Sequence, residues 1–164
     1  MTNTYEYPRP ALTVDIILFA KEKNDVFVML IQRDKPPFEG MWAFPGGFMD
    51  INETLESAAL RELKEETGIT GIQLNQFYTF DAIDRDPRHR TVSVVYYGFA
   101  KSKNIFFMAT DDAKNAAWFN IEKTPSMAFD HEKILLSIVK YRKYALFPDY
   151  IQKMVHIPVY PDTL

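Results

Sequence analysis

Two runs of alternating and β-branched apolar residues, 12–20 and 26–33, flank a polar stretch, Lys21-Glu22-Lys23-Asn24-Asp25, and predict a β-hairpin. The same pattern predicts strands at 74–81 and 91–100 and a short one at 116–119. Between them the spacing predicts a helix over 55–67, with Thr54 suited to the N-cap and Gly68 to the position after the last turn. A second helix is predicted over 130–144. Asp130 would cap it, and Ile134, Leu135, Ile138 and Val139 would form its apolar, core-facing stripe. These elements alone give a mixed α and β domain. No repeat or low-complexity linker divides the chain, so one domain over 1–164 is expected. The tail from Phe147 carries Pro148, Pro158 and Pro161 and is expected to wrap the surface or a neighbouring subunit.

The first helix carries the chemistry. At 100° per residue, Glu62, Glu65 and Glu66 share one face, whereas Leu60 and Leu63 should point into the core. Three carboxylates gathered in one patch repel each other, and burial would raise their pKa values. A hard divalent cation such as Mg²⁺ or Mn²⁺ would offset that repulsion with oxygen ligation. The alternative is a solvated acidic helix face. Ahead of the helix, Gly46 and Gly47 follow Phe44-Pro45, a pairing expected to turn sharply and bring backbone close to a metal or phosphate. Ala58 and Ala59 are small enough for close helix packing.

The segment 47–69, GFMDINETLESAALRELKEETGI, resembles the Nudix box, the motif shared by Nudix hydrolases, at every fixed position. The resemblance implies an α/β fold of the Nudix α/β/α sandwich type, and hydrolysis of a nucleoside diphosphate linked to another group. It implies metal ligation by Glu62, Glu65 and Glu66 with the Gly46 carbonyl, Arg61 belonging to the catalytic set as a brace. Gly47, Glu53 and Gly68 are then scaffold of the motif. Mg²⁺ or Mn²⁺ would supply a Lewis acid and a stronger nucleophile for in-line attack. For the general base, Glu62, Asp111 and Asp112 are candidates, the two aspartates reading equally well as a polar turn.

Residues 9–15, 31–42, 82–90 and 128–131 are also similar to the ADP-ribose pyrophosphatase group of that family. This implies cleavage of ADP-ribose to AMP and ribose 5-phosphate. Arg33, Arg85, Arg88 and Arg90 could bind diphosphate or ribose, and Phe38, Trp42 or Tyr78 could stack on adenine. Against this, the loop 84–90 reads equally as a solvated hairpin, and Trp42 and Trp118 as core aromatics. His89 and His131 read as loop and helix-start residues.

Composition narrows the classes. Apolar residues at 47% and aromatics at 15% fit a folded core, and a net charge of -3 leaves no basic footprint for nucleic acid. The absence of cysteine excludes disulfides and thiol chemistry. No apolar run reaches membrane-spanning length, and the polar start MTNTYEYPRP is not of signal-peptide type, so a cytoplasmic enzyme acting on a small nucleotide is expected. A homodimer is a further expectation from the resemblance. Two other functions stay in play. One is a sanitising pyrophosphohydrolase for nucleoside triphosphates. The other is a regulator sensing an ADP-ribose-type ligand, which the intact box and the short stretch after the second helix disfavour.

Overall fold

The structure, a computed structural model, describes residues 6–103 and 113–141. The described strands are β1 Ala11–Glu22, β2 Asp25–Arg33, β3 Trp42–Ala43, β4 Gly46–Phe48, β5 Leu74–Phe80, β6 Thr91–Ala100 and β7 Ala113–Asn120. The helices are α1 Leu55–Thr67 and α2 His131–Tyr141. The chain divides into two compact units, Met1–Glu132 and Lys133–Leu164. All strands and α1 belong to the first. Among the described residues no helix is long and apolar enough to cross a membrane.

One mixed sheet runs in the order β3-β2-β1-β6-β5, with β4 added to β1 and β7 to β2. β1 pairs antiparallel with β2 across the expected hairpin and parallel with β6 from Ala11↔Thr91 to Ala20↔Ala100. A central strand covered on both sides must be apolar on both, which explains the unbroken burial from Thr13 to Ala20. Period two then separates the faces. Val14, Ile16 and Leu18 join Met29, Val94 and Tyr96 in a core closed by Ala58, Ala59 and Leu63 of α1. Thr13 and Asp15 face the other way and are buried polar groups.

α1 begins and ends where its caps place it. Thr54 accepts from the Ser57 amide, and the Ser57 hydroxyl accepts from the Thr54 amide, a reciprocal capping box. Gly68 adopts φ 72°, the left-handed conformation that costs glycine least. Within α2 the predicted stripe is buried at Ile134, Leu135 and Ile138.

Several expectations are corrected. Leu60 is 40% exposed and only Leu63 faces the core. Gly46 and Gly47 form strand β4, paired with Asp15 and Val14, and neither has a positive φ. What they provide is space: a Cβ on Gly46 would lie 2.2 Å from the Val14 carbonyl oxygen. Strands β3 and β4, of two and three residues, are too short for periodicity to reveal. Asp111, Asp112 and the tail from Phe147 lie outside the described residues.

Candidate active site

The loop before α1 is fastened by a single guanidinium. Arg61 donates from Nη2 to Glu53 Oε1 at 2.7 Å and to the Phe48 carbonyl at 3.0 Å, and from Nε to Glu53 Oε2 at 3.1 Å. Glu53 also accepts from the Asp50 amide, which turns the loop back on itself. The Arg61 hydrogen bond is the main reason the Glu53 carboxyl is held below the usual carboxylate range. Arg61 reaches further than a scaffold need do. Its Nη1 donates to Glu62 at 2.8 Å and to Glu65 at 2.9 Å, so one cation orients two of the three box glutamates.

Glu62 and Glu66 are the carboxylates under stress. Burial pushes Glu66 up to about 8, despite a hydrogen bond of 2.8 Å from the Gly46 amide, with Glu62 and Asp15 adding repulsion. Burial also raises Glu62, only partly relieved by Arg61. A Cβ on Gly47 would lie 2.3 Å from Glu62 Oε1, so glycine is what lets that carboxylate lie against β4.

Glu66, Gly46 and Gly47 open onto a cavity of about 190 Å³. Thr13, Asp15, Ile31, Arg33, Ala43, Phe44, Phe48, Arg85, Asp86, Arg88, Phe129 and His131 complete its lining. Two arginines share the Phe129 ring, with guanidinium carbons 4.8 Å (Arg33) and 5.5 Å (Arg88) from its centroid. Their charges differ in compensation. Arg88 is bound through Nε and Nη2 to Asp86 at 3.0 and 2.7 Å. Arg33 donates to the carbonyls of Pro37 and Lys35 and makes no ion pair with any acid among the described residues. Burial and the Arg88 cation lower its pKa. An anion in the cavity would relieve that repulsion.

Part of the cavity lining belongs to a buried polar network. Arg85, its side chain 5% exposed, donates to both oxygens of Asp130 and lies 3.6 Å from Asp15. The Asp130 carboxylate, expected to cap α2, therefore serves as the partner of Arg85. Asp15 also accepts from the Ser93 hydroxyl and faces His131 Nε2 at 3.4 Å. His131 Nδ1 accepts from the Phe44 amide, and burial lowers its pKa.

Of the residues singled out from sequence, Gly46, Gly47, Glu66, Arg33, Arg85 and Arg88 are brought together around the cavity. Phe38 meets Phe129 edge-on at its margin. Trp42 instead packs on Phe119, with centroids 4.6 Å apart, and Arg90 donates to the Ala82 and Thr91 carbonyls. Glu62 and Glu65 are not among its lining residues and are held by Arg61. Sequence reasoning missed Asp15, Asp86 and Phe129, and it read His131 as a helix-start residue, which it is, without placing it at the cavity. Asp15 did leave a trace, as a lone acid inside an apolar strand.

The donors suit a hard cation. Carboxylates with raised pKa values lie beside a backbone edge, and a divalent ion would compensate their charge. Among the described residues no three acidic or imidazole side chains converge into a ready-made ligand set, and Glu62 and Glu65 are engaged by Arg61. In the same lining, the arginines offer forked donors for phosphate oxygens.

The family model described as the NUDIX domain matches residues 9–138. An ADP-ribose pyrophosphatase of Methanocaldococcus jannaschii is 38% identical over 136 residues, which cover 83% of this chain and 77% of that one. A MutT/nudix family protein from Enterococcus faecalis superposes with TM-score 0.79 at 33% identity, covering 92% of this chain and 70% of its own. The NUDIX domain of Shewanella oneidensis NrtR, solved with ADP ribose, gives TM-score 0.74 at 29% identity, covering 82% and 90%. The chain belongs to the Nudix family and is a Nudix hydrolase.

Proposed function

We propose that this chain hydrolyses ADP-ribose to AMP and ribose 5-phosphate in a reaction that depends on Mg²⁺ or Mn²⁺. The observation that carries the reading is one cavity lined both by Glu66 and Gly46 and by Arg33 and Arg88. Similarity to an ADP-ribose pyrophosphatase and to a domain solved with ADP ribose supports the same ligand. Glu62, Glu65, Glu66 and the Gly46 carbonyl would hold the cation. When bound, it supplies charge neutralisation at the diphosphate and a more acidic water.

The chain's own residues do the rest. Arg33, without an acidic partner among the described residues, binds the diphosphate. Arg88, already neutralised by Asp86 and flanked by the Phe48 and Phe129 rings, reads the neutral ribose hydroxyls or the base edge. Arg85 stays on Asp130 and Asp15 as a strut. Glu66, with one oxygen fixed on the Gly46 amide, keeps the other for ligation or proton transfer.

A hydrolysis panel of ADP-ribose, NADH, a dinucleoside polyphosphate and nucleoside triphosphates, including an oxidised guanine nucleotide, tests the substrate. The proposal expects kcat/KM for ADP-ribose to exceed the others by about tenfold or more. Preferential diphosphate release from a triphosphate would replace it with the sanitising reading.

A further inference from the structure

The segment Phe44-Pro45-Gly46 carries the backbone edge against which Glu66 rests, and each of its three residues is tethered. The Gly46 amide is held by Glu66, and the Pro45 carbonyl accepts from the Ile16 amide at 2.8 Å. The Phe44 amide is held by His131 Nδ1 at 3.0 Å, from a residue 87 positions later in the chain. The His131 ring also stacks on the Phe44 ring, with centroids 4.9 Å apart and planes at 15°. A nitrogen that accepts carries no proton, so the neutral ring bears its proton on Nε2. That nitrogen faces Asp15 Oδ1, and the other Asp15 oxygen is engaged by Ser93 and Arg85. The Asp15 carboxylate beside it favours a proton on Nε2, and that tautomer leaves Nδ1 as the acceptor that Phe44 needs.

We propose that His131 is a positioning residue of the hydrolytic site, one that clamps the Phe44–Gly46 backbone so that Gly46 and Glu66 meet, with Asp15 holding its tautomer. This rests on the metal-dependent reading of Gly46 and Glu66 for its consequence in catalysis, though not for the clamp itself. The tolerance is narrow: a Cβ on Gly46 would lie 3.0 Å from Asp15 Oδ1, so only glycine lets β4 lie this close to the network. Without the imidazole, the buried Phe44 amide loses its acceptor, and local opening of this segment becomes easier.

Amide hydrogen exchange of the full chain, followed residue by residue without metal or substrate, tests the clamp directly. His131→Ala is expected to speed exchange at Phe44 and Gly46 by about tenfold or more while Leu63 in α1 keeps its protection. His131→Asn places an amide oxygen where Nδ1 was and is expected to restore most of the Phe44 protection. Asp15→Ala should resemble His131→Ala at Phe44. With whichever anhydride the wild type hydrolyses best, His131→Ala should lower kcat about tenfold with KM within about threefold, and His131→Asn should recover much of it. Unchanged exchange at Phe44 and Gly46 would overturn the proposal. So would equal loss of protection across α1, or no recovery in His131→Asn. Failure of ADP-ribose as substrate would leave the exchange result standing and so would be told apart from failure of the clamp.

Discussion

A Cβ placed on Gly47 would lie 2.3 Å from Oε1 of Glu62, so the glycine and the carboxylate occupy adjoining space with none left over. The clashing atom is the mobile end of a side chain, which can swing away at little cost to the fold. Gly47→Ala should therefore lower kcat about 10- to 100-fold by misplacing Glu62, with Tm falling only a few degrees. Paired thermal melts and steady-state kinetics check this. A large loss of Tm with normal kcat in the folded fraction would contradict it.

That relationship also marks what sequence could and could not convey. The caps Thr54 and Gly68 were legible because capping is local chemistry. The role of Gly46 and Gly47 was not, because it depends on where Val14 and α1 lie in space rather than on a turn. The same holds for Arg85, whose partners Asp15 and Asp130 are brought to it by strand pairing and by the start of α2. Asp15 was a polar residue in an apolar strand, a sign that something buried must satisfy it, yet nothing in the sequence named His131 as that neighbour.

Arg33 and Arg88 should separate in kinetics. Arg33→Ala is expected to raise KM about tenfold for every diphosphate substrate, because its charge has no acidic partner among the described residues. Arg88→Ala should instead reduce discrimination between ADP-ribose and other diphosphates, with modest loss of stability. Parallel KM and kcat values on two substrates decide it, and identical effects of both variants would count against the division.

The acidity of Glu66 gives a pH dependence of stability. Its pKa rises from the ordinary 4.5 to about 8 on folding, so between those values the native state binds more protons than the unfolded chain. Stability of the chelator-treated protein should therefore fall as pH rises through that window and level off above it. Glu66→Gln should flatten this slope, and saturating Mg²⁺ should restore stability at the upper end. Melts recorded across the window in EDTA and in Mg²⁺ provide the check.

Arg61→Lys keeps the charge but not the fork that spans Glu53, the Phe48 carbonyl, Glu62 and Glu65. It is expected to lose about tenfold or more in kcat, with a looser loop before α1 seen as faster proteolysis there. Wild-type turnover in this variant would reduce Arg61 to a counter-ion.

The most direct test of metal-dependent ADP-ribose hydrolysis is product analysis by ion-exchange chromatography on wild type and Glu66→Gln, each with Mg²⁺ and with EDTA. The expected result is AMP and ribose 5-phosphate in equal amounts from wild type with Mg²⁺ only. Glu66→Gln, still folded by circular dichroism, should be slower by about a hundredfold or more. Turnover that survives EDTA, or a Glu66→Gln enzyme as fast as wild type, would contradict the account.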